Sequence, residues 1–257
     1  MFNFLLNIRN RFNFFLRQKI HVSRKNYFEK NEDKSELNFS DEEKILEKDL
    51  INKYKLSDYK NNSSIINYCQ NLYTLYFLDK YMEIKKSKEL SVLDIGSKNW
   101  FYVQGEYSFF KYFTENLTLD GVELDAYRLY SNLFTRAEVA KFYIKNLAGT
   151  TYIPANLLDI DKKYDYIIWI LPFVKIEPLR TWELPDSYFA PQKLLKHAYS
   201  LLNRNGKMLI INQGEDEFKI QKQLLNEQGI INYYCEKLNT PFYKYKNERY
   251  ISVIKKD

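Results

Sequence analysis

From Ser64 onward, stretches with a strand signature alternate with stretches with a helix signature, and this alternation leaves the chain few ways to fold. The strongest strand is Tyr164-Asp-Tyr-Ile-Ile-Trp-Ile-Leu171, apolar but for Asp165. A strand apolar on both faces belongs at the centre of a parallel sheet with helices on either side. Around it the pattern predicts strands at about 90–95, 119–124, 207–211, 230–236 and 249–254, with a short one entered through Thr151-Tyr-Ile-Pro154. Helices are predicted over roughly 64–84, 105–116, 126–146, 191–202 and 216–228, one opening on Pro191 and one stopping at Gly229. Such βα alternation implies right-handed crossovers. The expected fold class is α/β: a doubly wound, mostly parallel, seven-stranded sheet with an N-terminal helical extension.

Residues 1–60 read as that extension and its linker, and residues 61–257 as the sheet-bearing domain. Ser40-Asp-Glu-Glu43 is a capping-box pattern that opens a charged helix running to about residue 54. The formal charge is +6, and in the first thirty residues Arg9, Arg11, Arg17, Lys19, Arg24, Lys25 and Lys30 face only Glu29. A basic arm of this kind steers phosphates or anionic lipid, or is simply solvated. The rest of the chain is close to neutral, which argues against a general nucleic-acid binder. Met1 to Leu16 is rich in Phe, Leu and Ile, but Arg9 and Arg11 interrupt it. It therefore lacks the continuous apolar centre of a signal peptide and the length of a membrane span. An interfacial helix and a helix packed on protein both fit, so membrane or protein contact through residues 1–25 stays open. The expected location is the cytoplasm, with peripheral membrane contact as the second possibility. Cys69, Cys235, His21 and His197 are too few and too scattered for a metal site, so no metal is expected.

The candidate site lies at two strand tips. Leu90-Ser-Val-Leu-Asp-Ile-Gly-Ser-Lys-Asn99 is a buried strand ending in Asp94 and turning at Gly96. Leu119-Asp-Gly-Val-Glu-Leu-Asp125 is a second strand ending in Glu123 and Asp125. Ligands of open α/β sheets sit beyond the carboxyl ends of the strands, and carboxylates there suit a nucleoside. With Asp165 to Pro172 as a fourth strand and Leu201-Leu-Asn-Arg-Asn-Gly-Lys-Met-Leu-Ile210 leading into a fifth, the chain from about 64 to 256 resembles the class I S-adenosylmethionine-dependent methyltransferases. That family closes its sheet with an antiparallel last strand, which the C-terminal pair of strands can supply. The resemblance implies S-adenosylmethionine as cofactor, held by Asp94, Gly96, Ser97, Lys98, Asn99, Glu123, Leu124, Asn156, Asp159 and Trp169. Glu123 would take the two ribose hydroxyls, Lys98 the cofactor carboxylate, and Asn156 or Asp159 the adenine amino group. A small-molecule acceptor would meet Leu171, Phe173, Trp182 and Glu183, in the segment that follows the fourth strand.

The sequence departs from the family's pattern around the first strand tip, and the 29 residues from Asp94 to Glu123 exceed the roughly 20 of the dinucleotide fingerprint. The family's first loop is usually glycine-rich, whereas here Gly96 is followed by Ser97-Lys-Asn-Trp100. A non-catalytic, methyltransferase-like binding or scaffold domain is thus the alternative reading. A nicotinamide-dependent oxidoreductase would want G-x-G-x-x-G at this turn, and Gly96 stands alone. Leu171-Pro-Phe173 lacks the leading Asp or Asn of amino-methylating nucleic-acid enzymes, which disfavours a nucleic-acid acceptor.

Overall fold

The computed structural model describes residues 2–21 and 27–257, so Arg24 and Lys25 of the basic arm lie outside the described residues. The elements run α1 (Phe2–Lys19), α2 (Asp41–Tyr54), α3 (Ser57–Asn61), α4 (Ile65–Tyr81), β1 (Ser87–Ile95), α5 (Val103–Lys111), β2 (Thr114–Val122), α6 (Arg136–Ile144) and β3 (Thr150–Ile153). They continue with β4 (Tyr164–Ile170), α7 (Ile176–Thr181), α8 (Pro191–Leu201), β5 (Leu202–Gln213), α9 (Gly214–Glu227), β6 (Tyr233–Leu238) and β7 (Arg249–Lys255). The strand order is β3-β2-β1-β4-β5-β7-β6. Neighbours from β3 to β5 pair in parallel, and β7 runs antiparallel to both β5 and β6. The sheet is therefore mixed, with a reversed strand near one edge.

Successive residues of the central strands feed two separate cores, as a sheet covered on both faces requires. Val92, Leu119, Ile168 and Leu209 join the helices α2, α4 and α5 on one side. Leu93, Ile167, Met208 and Ile210 meet Leu195 and Ala198 of α8 and Leu224 and Leu225 of α9 on the other. Leu50, Ile51 and Tyr54 of α2 belong to the first of these cores, so the charged helix buries one stripe against the domain. Ser40 caps it through the reciprocal bonds of a capping box with Glu43. Helix α4 crosses α5 at close range. A Cβ on Gly105 would lie 2.7 Å from the Asn71 carbonyl oxygen, while the Gly105 N–H donates to Asn71 Oδ1 at 2.7 Å.

Two predicted helices needed correction. The one expected over 126–146 forms only from Arg136, because Thr135 and Glu138 make a capping box that starts it late. Residues 126–135 are loop, with an isolated bridge between Leu129 and Thr135. The one expected over 105–116 is shorter, since β2 already begins at Thr114 and pairs with Ser87. Helices α3 and α7 carry too few residues to show a period, and the sequence pattern passed over both.

Helix α1 lies across the segment after β4. Asn10 Nδ2 donates to the carbonyls of Arg180 and Leu184, both at 3.3 Å, and Phe14 packs with Leu179 and Leu184.

Candidate functional site

The strand order reverses between β1 and β4, and a crevice forms where the connections leave in opposite directions. A cavity of about 550 Å³ opens there, in the size range of small-molecule sites. Its walls come from the loops after β1, β2 and β4, from α4, and from the start of β7.

The β1 loop has a repeating torsion pattern. Gly96, Lys98 and Trp100 all have positive φ, at +76°, +54° and +48°. A glycine-rich turn would place its glycines at such alternate positions, and here only the first is glycine. Trp100 holds the turn by its side chain instead: the indole is fully buried and its Nε1 donates to Glu106 at 2.8 Å. A Cβ added to Gly121 would lie 2.7 Å from the Trp100 ring and from Ser97 Oγ, so β2 passes directly against this anchor. Around Gly96 the opposite holds. A Cβ there would meet nothing within 4 Å, and the residue faces the cavity.

Beneath the loop lies a buried acid pair. Asp94 is fully buried; the Tyr102 hydroxyl donates to its Oδ2 at 2.9 Å, and Oδ1 has no hydrogen-bond partner among the described residues. Glu106 is equally buried, its Oε1 without a hydrogen-bond partner among the described residues. Burial pushes the Asp94 carboxyl up to about 7 against the hydrogen bond from Tyr102. Burial and then the neighbouring Asp94 push the Glu106 carboxyl well above its ordinary range.

At the tip of β2, Glu123 is held by three donors. Its Oε2 accepts the Lys98 N–H at 2.9 Å, and its Oε1 accepts the Asp125 N–H at 2.8 Å and Arg136 Nη1 at 2.9 Å. A carboxylate has about four lone-pair positions, so one on Oε2 is left for a ligand. Asp125 receives Arg17 of α1 through both oxygens, at 3.0 and 3.3 Å. Glu183 pairs with Arg128 at 2.8 Å. Trp182 stands at the cavity between two cations, with Lys98 Nζ 4.3 Å and Arg136 Cζ 5.0 Å from its ring centre. Burial, followed by the Arg136 charge, holds the Lys98 ammonium down at about 8.

Of the residues the sequence singled out, the structure brings Gly96, Lys98, Glu123, Leu124, Asn156, Trp169, Leu171, Phe173 and Trp182 together on the cavity wall. Asp94 and Ser97 lie in the interior behind it, Ser97 Oγ donating to the Asp94 carbonyl at 3.2 Å. Asn99, Asp159 and Glu183 are off the wall; Asp159 is exposed at the end of a 3-10 turn, and Asn156 caps that turn by accepting the Leu158 N–H.

The sequence did not point to Arg136, which the capping box at Thr135 could have flagged, or to Arg249. The latter opens β7 on the β5–β7 side of the cavity, in register with Gln213. It donates to Gln213 Oε1 at 3.1 Å, lies 4.2 Å from the Tyr245 ring centre, and has no carboxylate within 4 Å among the described residues. Tyr73 lines the same side, 5.3 Å from Tyr245 between ring centres, its buried hydroxyl without a hydrogen-bond partner among the described residues. Among the described residues no cluster of three metal-binding side chains occurs.

No family model matches the chain, and neither does any curated protein. Solved structures do match its fold. An S-adenosylmethionine-dependent methyltransferase from Aquifex aeolicus aligns at TM-score 0.50 and 13% identity, over 72% of this chain and 90% of its own. A precorrin-6y C5,15-methyltransferase from Geobacter metallireducens aligns at 0.48 and 14%, over 73% and 87%. A ribosomal protein L11 methylase from Lactobacillus delbrueckii aligns at 0.47 and 15%, over 77% and 87%. At such identities the likeness is one of fold.

Proposed function

We propose that this chain, which has the fold of the class I methyltransferases, is an S-adenosylmethionine-dependent methyltransferase acting on a small-molecule acceptor. The observation that carries the reading is the pairing of Gly96 with Glu123 on one cavity at the strand switch point. The residues present fit the cofactor. Open space over Gly96 lets backbone approach its amino-acid portion, and the remaining lone pair of Glu123 Oε2 suits a ribose hydroxyl. The one-sided vacancy makes this a single hydrogen bond, not the two-hydroxyl grip that the bare sequence suggests. Lys98 supplies a cation for a carboxylate, and Leu124, Asn156, Leu157 and Leu158 supply a flat, mostly apolar slot for an adenine.

When bound, the cofactor supplies an electrophilic methyl group on a sulfonium. The protein's part is alignment and exclusion of water, which suffice for an in-line displacement. Trp169 at the end of β4, with Leu171 and Phe173 beyond it, forms an apolar wall that keeps water from the reacting centre. On the β5–β7 side, Arg249 presents a guanidinium flanked by Tyr73, Tyr245 and Gln213, with no carboxylate within 4 Å among the described residues and Glu217 beyond that distance on the same wall. That chemistry favours an acceptor carrying an anionic group beside a flat or apolar body.

Calorimetric titration with S-adenosylmethionine and S-adenosylhomocysteine tests the reading. Micromolar binding that Glu123→Ala abolishes supports it, and Arg249→Met then retains cofactor binding while losing acceptor turnover. Absence of binding at millimolar ligand overturns it in favour of a non-catalytic domain. Lys98 and Trp100 in place of loop glycines are the observation behind that second reading.

A further inference from the structure

Helix α1 is amphipathic in the wrong sense for a helix that packs only on its own domain. At 100° per residue its inward stripe is Asn7, Asn10, Phe14, Arg17 and Gln18. Those polar side chains are used: Asn7 Oδ1 accepts the Asp186 N–H at 3.0 Å, Asn10 bonds two carbonyls, Gln18 donates to the Leu124 carbonyl at 3.2 Å, and Arg17 pairs with Asp125. The outward stripe is apolar. Phe4, Ile8, Phe12 and Phe15 are 67, 47, 60 and 56% exposed, with Leu5 beside them at 58%. A surface helix ordinarily shows the reverse, apolar residues inward and polar residues outward. Contiguous exposed aromatics on a helix whose other face is already fastened mark an interaction surface.

Charge identifies the occupant. The first 28 residues hold Arg9, Arg11, Arg17, Lys19, Arg24 and Lys25 and no acid; the other 33 basic residues of the chain equal its 33 acidic ones. The whole net charge of +6 thus resides in this arm. Arg9, Arg11 and Lys19 are exposed, Lys19 on the apolar face itself and Arg11 and Arg9 at its two margins, Arg9 also 4.0 Å from Glu183. Their stems can lie along apolar surface while their heads reach a negative layer. A second copy of the helix would bring like charges together, which disfavours self-association through this face. An apolar stripe rimmed by cations, with no acid, matches an anionic lipid surface.

We propose that α1 docks the protein on an anionic lipid bilayer, with Phe4, Ile8, Phe12 and Phe15 among the acyl chains and Arg9, Arg11 and Lys19 at the headgroups. No helix among the described residues is long and apolar enough to cross a membrane, so the contact is interfacial. The proposal uses no cofactor-binding residue, and its test is run without S-adenosylmethionine, so it stands or falls apart from the methyltransferase reading.

The test is vesicle flotation of the full chain. The expected result is co-flotation with mixed phosphatidylcholine–phosphatidylglycerol vesicles, weak partition onto pure phosphatidylcholine, and release by high salt. F4S/F12S/F15S changes exposed side chains only, so it keeps the thermal midpoint and loses partition by about tenfold or more. R9E/R11E keeps the apolar stripe and loses the preference for anionic vesicles. Wild-type protein that stays unbound to anionic vesicles overturns the proposal, as does equal flotation of the triple serine variant. So does a solution dimer that the triple variant converts to monomer, which would assign the face to a second copy.

Discussion

Replacing Asp94 by Asn should flatten the pH dependence of stability. The carboxyl is fully buried, receives the Tyr102 hydroxyl, and is pushed by burial from 3.8 up to about 7. A folded-state value above the unfolded one means that the group's contribution is complete below about pH 4 and is lost as pH rises through about 7. Between pH 5 and pH 7 the unfolded group is ionised and the folded one is not. Each pH unit then costs about 1.4 kcal/mol, or roughly 2.5 kcal/mol across that window. Asn keeps the size and the acceptor for Tyr102 and cannot ionise, so this share of the slope should vanish. Glu106 is pushed in the same direction, partly by Asp94, so the difference between the two curves reports Asp94 together with its effect on Glu106. Urea denaturation at half-unit steps from pH 5 to pH 8 gives both curves. If wild type and D94N run parallel, differing by a constant, Asp94 is ionised throughout and the argument from burial is wrong.

Other substitutions probe neighbouring features. Gly121→Ala should cost about 2–3 kcal/mol in a urea melt, because the new methyl meets the Trp100 ring at 2.7 Å within a packed core. Arg17→Met leaves the buried Asp125 with the more distant Arg128 and Arg136, and should cost about 2 kcal/mol; adding Asp125→Asn should recover most of it. If Lys98 holds the cofactor carboxylate, S-adenosylhomocysteine affinity should fall about tenfold from pH 7 to pH 9, since the ammonium deprotonates near 8. Calorimetry on Lys98→Met should show weaker binding without that fall.

The β4 run and the alternation around it were legible because the central strands are apolar on both faces, and Ile167 and Ile168 do enter different cores. A boundary set by local hydrogen bonding was legible where its capping box was read, at Ser40–Glu43, and was missed at α6, whose box at Thr135 hydrophobic periodicity does not see. At the site, strand-tip residues such as Gly96, Glu123 and Leu171 could be placed from strand ends alone. Arg136 and Arg249 could not, because they reach the cavity from elements distant in sequence from the loops after β1 and β4. Asp94 was found and its surroundings were not, since only the fold shows that Glu106 and Tyr102 share its buried space. The inverted polarity of α1 also needed the structure, because the sequence alone does not say which stripe faces the protein.

The β1 turn achieves with Trp100 what flexible loops achieve with glycine, and this moves where its ordering cost falls. A loop of several glycines keeps much conformational freedom in the folded protein and gives it up when a ligand arrives. Here two left-handed positions are occupied by Lys98 and Trp100, at roughly 1–2 kcal/mol each, and a buried indole hydrogen-bonded to Glu106 fixes the path. Fewer unfolded conformations are available to such a segment, so its entropy is surrendered during folding. A ligand reaching Gly96 meets a backbone already in place, and its binding should show a small entropic penalty and little change in loop hydrogen exchange.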